Sequence, residues 1–279
     1  MKLSCLPVSF FADIFGGRMP LQEWLRLAGT VGLDATDFSI RFLDSHTEGY
    51  LKGVRQQIED VGLRLGMIAC YSDFTRPEAV ERERERNEMR RNLASAALLG
   101  AKFVRVTAGQ GRPGLDRDTA IGWAAEGIGS LLDDAARLGL QLVFENHTKP
   151  GVWNYADFAQ PLDIFFAILD RLRGTSLGVN FDTANTLVVE ADPLEVLARA
   201  QDRVATVHAS DTRRRGILEP VVLGTGLVPF PQIFQALRQA GFDGWICIEE
   251  ASGRGMEGIR QAVDYVRRTW AASSPQTTR

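Results

Sequence analysis

Positive charge is not in surplus in this chain. Lys and Arg number 32 against 35 Asp and Glu, a formal net charge of -3. That excludes the basic footprint of a protein that grips nucleic acid through its phosphates. Cysteines number only three, Cys5, Cys70 and Cys247, and no two form a CxxC pair. They lie far apart and an odd one is left over, which argues against a disulfide framework. Each is therefore read as a small buried apolar residue. Histidines also number three, His46, His147 and His208. No apolar run reaches the roughly 18 residues of a membrane span. The N-terminus lacks the basic head, apolar stretch and cleavage site of a secretion signal. These absences predict a soluble protein of the cytoplasm, with no membrane or nucleic-acid partner. No GxGxxG follows the first strand-like run, which weakens a dinucleotide-binding reading.

What the chain does have is alternation. Short runs rich in Val, Ile, Leu and Phe fall at 3–9, 32–38, 64–70, 103–107, 141–145, 177–181, 204–209 and 245–249. Near-continuous apolar runs of this length suit parallel strands covered on both faces. Between them lie helical patterns at 20–30, 46–61, 77–99, 116–138, 157–172, 193–200, 229–240 and 256–270. Several open on Pro or Asp and stop at a glycine such as Gly62, Gly100, Gly139 or Gly241, which are helix start and stop signals. Strict alternation implies a parallel α/β architecture. Eight units in 279 residues fit a single (β/α)8 TIM barrel, typically about 250 residues long. The reading is one barrel over 1–271 and a polar, disordered tail over 272–279. The charge-dense run 81–92, ERERERNEMRRN, is read as a solvated helix face laced by i,i+4 ion pairs.

In such a barrel the chemistry sits where strands end. Four consecutive strands end in residues able to hold a metal. LQLVFENH ends at Glu145, LGVNFDTAN at Asp182, VATVHASD at His208 and WICIEEAS at Glu249. Each has an ordinary explanation alone. Glu145 or Glu249 would pair with an Arg or cap a helix, Asp182 would cap a short helix, and His208 would be a bonded core histidine. Together they put three carboxylates and an imidazole at one barrel mouth. Unpaired carboxylates there are costly, and a divalent cation resolves the conflict. One His with three carboxylates is a mostly hard set, suited to Mn²⁺, with Mg²⁺, Co²⁺ and Zn²⁺ as alternatives.

Other residues lie nearby in sequence. His147, two residues after Glu145, either faces the pocket and bonds substrate hydroxyls or is a solvated loop residue. Trp153 and Phe74 lie in loops after strands and would wall a sugar ring. Arg105 lies within strand four and faces either the barrel or the helices. Arg213, Arg214 and Arg215 are either a surface run or a seat for an anionic group. GTGL at 224–227 shapes the following loop and is weak as a phosphate signal.

At these motifs the sequence resembles the sugar phosphate isomerase/epimerase family, the xylose isomerase-like barrels, over nearly its whole length. VFENHTK, GVNFDTAN, VHASD with LGTGLVPF, and GWICIEE carry the resemblance. It implies that Glu145, Asp182, His208 and Glu249 bind one divalent metal. It implies that Glu145 and Glu249 also exchange protons with a sugar or polyol. The implied reaction is isomerisation or epimerisation by proton abstraction next to a carbonyl, through a metal-stabilised ene-diolate. Two departures limit the match. Many members have His where Asn185 stands, so Asn185 becomes the substrate partner there. Ketose 3-epimerases have Glu where Gly151 stands. Their substrate-holding Arg falls on Arg214. A dehydratase of inosose or keto-sugar type would use the same centre and the same first step. A non-catalytic sugar-binding barrel is the third reading. Family members often form dimers or tetramers, so a homo-oligomer is compatible. The DNA-cutting relative endonuclease IV needs a histidine-rich trinuclear zinc site that three histidines cannot build.

Overall fold

The structure, a computed structural model, describes residues 1–148 and 151–273. Eight strands appear among them: β1 Lys2–Leu6, β2 Ala35–Ser39, β3 Arg64–Ala69, β4 Phe103–Val106, β5 Gln141–Glu145, β6 Gly178–Asp182, β7 Val204–Ala209 and β8 Trp245–Glu249. The helices are α1 Phe11–Phe15, α2 Leu21–Ala28, α3 Glu48–Asp60, α4 Ala79–Leu99, α5 Arg117–Gly129 and α6 Leu132–Arg137, followed by α7 Leu162–Arg171, α8 Thr183–Val188, α9 Pro193–Ala200, α10 Phe230–Gln239 and α11 Gly255–Ala272. The strands form one sheet in the order β1-β8-β7-β6-β5-β4-β3-β2. This is the strand order of a (β/α)8 barrel, as the alternation predicts.

Packing divides the chain into two units: residues 1–37, 57–64 and 179–279, and residues 38–56 and 65–178. In the first unit, β1, β8 and β7 run parallel in continuous register. Ser4 pairs with Cys247, and Cys247 with His208. Residues 179–182 of β6 join β7, with Asp182 beside His208. β2 is tied to β1 because Asp34 N–H donates to Leu3 O at 2.8 Å and Asp34 Oδ2 accepts from Leu3 N–H at 2.8 Å. Trp24 of α2 donates its indole N–H to Thr36 at 2.9 Å, so a large buried ring keeps its one polar atom satisfied. Phe230 and Phe234 of α10 meet Tyr265 and Trp270 of α11 edge-on, with ring centroids 5.7 and 5.5 Å apart.

In the second unit β3, β4 and β5 pair in parallel. Phe144 of β5 stacks on Phe165 of α7 at 5.0 Å. Full burial of such a side chain contributes about 1.5–3 kcal/mol. α4 stops at Gly100, whose φ of 79° is the left-handed conformation that glycine adopts without penalty. The charged run of α4 does form ion pairs, but at i,i+3 rather than i,i+4: Arg84–Glu81, Arg86–Glu83 and Arg91–Glu88. Arg90 also reaches Asp134 of α6 at 3.0 Å.

Several boundaries differ from the sequence reading, among them β1, which ends at Leu6 rather than at residue 9, and β2, which starts at Ala35 rather than at residue 32. The helix expected over 116–138 breaks into α5 and α6. Two glycines near the break are weak helix formers, and the Ser130 hydroxyl bonds back to Gly127 O at 2.8 Å, competing with the helix ladder. The helix expected from 157 starts at Leu162 after Pro161, because a proline disfavours helix in the residue before it. At the C-terminus the chain is helical through Ala272, and the tail expected over 272–279 lies outside the described residues from 274 on. All three cysteines are buried and free, as expected.

Candidate metal centre

Asp182 and Glu249 close β6 and β8 of the first unit, and His208 stands one residue before the end of β7. Register puts Asp182 beside His208, and His208 beside Cys247, two residues short of Glu249. Each of the three offers a ligand atom, and these atoms lie within 4.8 Å of one another. His208 Nδ1 stands 2.9 Å from Glu249 Oε2. Neighbouring ligands about 2.1 Å from one ion would stand roughly 3 Å apart, so this spacing fits a shared cation. The donors are one imidazole nitrogen and two carboxylates, which suits a divalent ion.

Local bonds hold these groups in place. Asp182 Oδ1 accepts from Asn185 N–H at 2.7 Å and from the Ser210 hydroxyl at 2.8 Å. Asp182 is thus the N-cap of α8, and this ordinary explanation holds whether or not the residue also binds an ion. Because both bonds reach one oxygen, they fix the plane of the carboxylate. Thr183 Oγ1 donates to Ser210 O at 2.6 Å and accepts from Ser210 N–H at 3.1 Å. That joins the ends of β6 and β7.

Glu145 ends β5 in the second unit. Its side chain is 1% exposed and its Oε2 lies 2.9 Å from Arg105 Nε, which is 3% exposed. Arg105 also donates to Cys70 O at 2.9 Å and lies 4.8 Å over the Tyr71 ring. This resolves the direction of Arg105 that the sequence leaves open: it faces Glu145. The signal was present in FVRV, since an arginine within an apolar strand must find an anion.

The remaining sequence candidates are spread more widely. His147 is 13% exposed, with Nδ1 at 3.8 Å from Asp157 Oδ2. Burial pushes the Asp157 carboxyl well above the usual carboxylate range, against the opposing bond from Ala159 N–H. Trp153 is buried in the segment that Gln110 Oε1 holds by accepting from Asn154 N–H at 3.0 Å. Asn185 is buried in the first turn of α8. Arg214 is exposed, between Arg213 and Arg215, which are exposed too. Phe74 is a correction. It is fully buried, and its ring fills the space where a side chain on Gly127 would sit, 2.5 Å away. It belongs to the core against α5 and walls no sugar.

Sequence reading missed two buried carboxylates that organise loops. Asp73 accepts from Gln110 N–H at 3.0 Å and from both terminal nitrogens of Arg112. Asp211 accepts from the backbone N–H of Gly224, Gly226, Val228 and Thr212 at 2.9–3.1 Å. The Gly224 and Gly226 N–H groups of GTGL thus serve the chain's own Asp211, and those of Thr225 and Leu227 donate to Val222 O and Thr212 O. A further group, Asp37, His208 and Cys247, also places its donor atoms within 4.8 Å of one another.

The family model for the xylose isomerase-like TIM barrel matches residues 25–269. An inosose dehydratase of Lacticaseibacillus casei is 29% identical over 141 residues, 45% of this chain and 45% of that protein. The chain therefore matches less than half the length of that relative. A putative hydroxypyruvate isomerase of Streptomyces coelicolor is 26% identical over 249 residues, 84% of this chain and 87% of that protein. Among solved structures, the IOLI protein with a binding zinc atom aligns with a TM-score of 0.82 at 15% identity, covering 99% of this chain and all of that one. At that identity the likeness shows the fold alone. Among the described residues, no helix is long and apolar enough to cross a membrane.

Proposed function

The chain belongs to the xylose isomerase-like TIM barrel family, and from that premise we propose that it is a divalent-metal-dependent isomerase or epimerase of a sugar or polyol. The observation that supports the reading is the convergence of Asp182, His208 and Glu249 within 4.8 Å, and we assign the fourth place to Glu145 from the strand-end pattern of the sequence. Mn²⁺ suits three carboxylates and one imidazole best. A bound divalent ion polarises a carbonyl and acidifies the C–H beside it.

The two glutamates then move protons. One carboxylate takes the proton from the carbon next to the carbonyl. The C–H electron pair becomes the new C=C bond, and the carbonyl electrons move onto oxygen. The other glutamate, protonated, returns a proton to the opposite face, which inverts that carbon. Return to the former carbonyl carbon gives isomerisation. Arg105 offsets the charge of Glu145 and holds its carboxylate in one orientation. His147 and Asn185 hydrogen-bond substrate hydroxyls, Trp153 covers the sugar ring, and Arg214 holds a distal polar group.

A second reading, dehydration, is favoured by the relatives named inosose dehydratase. It shares the first proton abstraction. A hydroxyl on the next carbon then leaves with a proton from the protonated glutamate, as water. Proton NMR in D₂O with Mn²⁺, run over ketoses, inososes and 3-keto-sugars, separates the two. Exchange of one C–H for deuterium with no loss of water is the expected result. A deoxy or enone product establishes dehydration instead. No exchange on any of these classes contradicts both.

A further inference from the structure

Asp37 has no part in the metal reading, yet it lies 1% exposed in β2, where an uncompensated carboxylate is strongly disfavoured. Its Oδ2 accepts from the Ser4 hydroxyl at 2.9 Å. Ser4 is the register partner of Cys247 on β8, and Cys247 is the register partner of His208 on β7. Register partners on parallel strands point to the same face of the sheet. One buried row therefore runs Asp182, His208, Cys247, Ser4, and Asp37 closes it. The donor atoms of Cys247, His208 and Asp37 all lie within 4.8 Å of one another.

The imidazole ring has two nitrogens with different tasks. Nδ1 faces Glu249 at 2.9 Å. To bind a metal there, Nδ1 must carry no proton, so the proton belongs on Nε2, which is buried. An N–H of a metal-binding histidine is ordinarily oriented by an acceptor behind it, which fixes tautomer and ring plane. We propose that Asp37 is this positioning residue, acting on His208 across the Cys247 thiol. In this arrangement Nε2–H turns to the sulfur, and the thiol S–H, which in this structure faces Ile248 O at 3.7 Å, turns to the Asp37 carboxylate. Ser4 holds the carboxylate in the orientation this needs. No step of the reaction passes through Asp37. It presets the ring so that Nδ1 is ready for the ion.

The inference rests on His208 being a metal ligand, and the test keeps the two apart. Mn²⁺ binding is measured by calorimetry on the wild type, Asp37→Asn and Cys247→Ala. Nitrogen-15 NMR of the metal-free proteins reads the His208 tautomer. With only three histidines in the chain, the His208 signals are identified by their absence in His208→Asn. Asp37→Asn is expected to weaken Mn²⁺ binding about 10–100-fold and to turn one His208 tautomer into a mixture. Cys247→Ala is expected to shift both readouts the same way, and it carries the test if Asp37→Asn does not fold. Unchanged affinity and tautomer in these variants overturn the inference while the metal reading stands. A wild type that binds no Mn²⁺ overturns the metal reading, and the metal-free spectra then still test the pairing. Two ions per wild-type chain, falling to one in Asp37→Asn, would make Asp37 a ligand and overturn the positioning role.

Discussion

Glu249→Gln is expected to lower turnover about a hundredfold to ten-thousandfold, and Glu145→Gln by the same order, the usual contribution of a positioned acid or base. Each change keeps the shape of the side chain and removes the negative charge and the proton-accepting oxygen. Glu249 lies 2.9 Å from His208 Nδ1, so its loss also removes a ligand charge. Glu145 differs because Arg105 stands against it. Its replacement leaves a buried guanidinium without its anion and adds a folding cost to the catalytic one. Saturating Mn²⁺ separates the contributions. If metal affinity alone were damaged, high Mn²⁺ would restore turnover. Loss that persists at saturation, together with loss of solvent deuterium exchange, identifies the proton-transfer role. Near-normal exchange in either variant removes that glutamate from the chemistry.

Arg105→Leu is expected to cost about 3–5 kcal/mol in urea unfolding, the penalty for leaving a buried charge unpaired. The magnitude follows from burial. The two partners are 3% and 1% exposed at 2.9 Å, so solvent screens little of the lost interaction. The charge-dense face of α4 is the contrast. Arg84→Ala breaks a pair whose members are 72% and 32% exposed, and such surface pairs contribute at most about 1 kcal/mol. A divalent ion on Glu145 compensates the same carboxylate, so Mn²⁺ is expected to recover part of the Arg105→Leu loss. A change below about 1 kcal/mol would show that Glu145 is neutralised by something other than Arg105.

The parts of the fold that sequence reading located best are those with the clearest physical pattern. β5, β7 and β8 fall on the predicted bounds because each apolar run meets one ionisable residue at or next to its end. The same pattern marked Glu145, His208 and Glu249. The cap role of Asp182 was legible, since a strand-end Asp before a Thr serves as a helix cap whether or not it binds metal. The α5–α6 break was hidden because apolar spacing continues across it, and only the Ser130 hydroxyl bonding backward reveals the interruption. Phe74 was misread because a loop aromatic looks the same in sequence whether it faces a cavity or a helix. Its direction is set by the bare backbone of Gly127, 53 residues away in the chain. Asp37 was missed for a related reason. In Ala35–Ser39 every residue is buried, so polar residues do not mark a solvent face, and their partners on β1 and β8 come from opposite ends of the sequence.

The substrate shell is the least legible layer. Asn185 stands where many family members have His, and Gly151 where the ketose 3-epimerases have Glu. Those are the positions that would distinguish one sugar from another. In the proposed reading the four strand-end residues would set a reaction type, and the groups around them its substrate. Proton NMR on a substrate panel addresses the second question, and metal binding addresses the first.

Titration of the metal-free protein with Mn²⁺, read as bound ions per chain and as melting temperature, tests the central claim most directly. One ion per chain is expected. At a hundredfold excess of Mn²⁺ over its Kd the folded state gains about 2.7 kcal/mol, and the melting temperature rises with it. Both responses are lost or sharply weakened in Glu249→Gln and in His208→Asn. A wild-type protein that binds no divalent ion and melts at the same temperature with and without Mn²⁺ would contradict the assignment of Glu145, Asp182, His208 and Glu249 as a metal site.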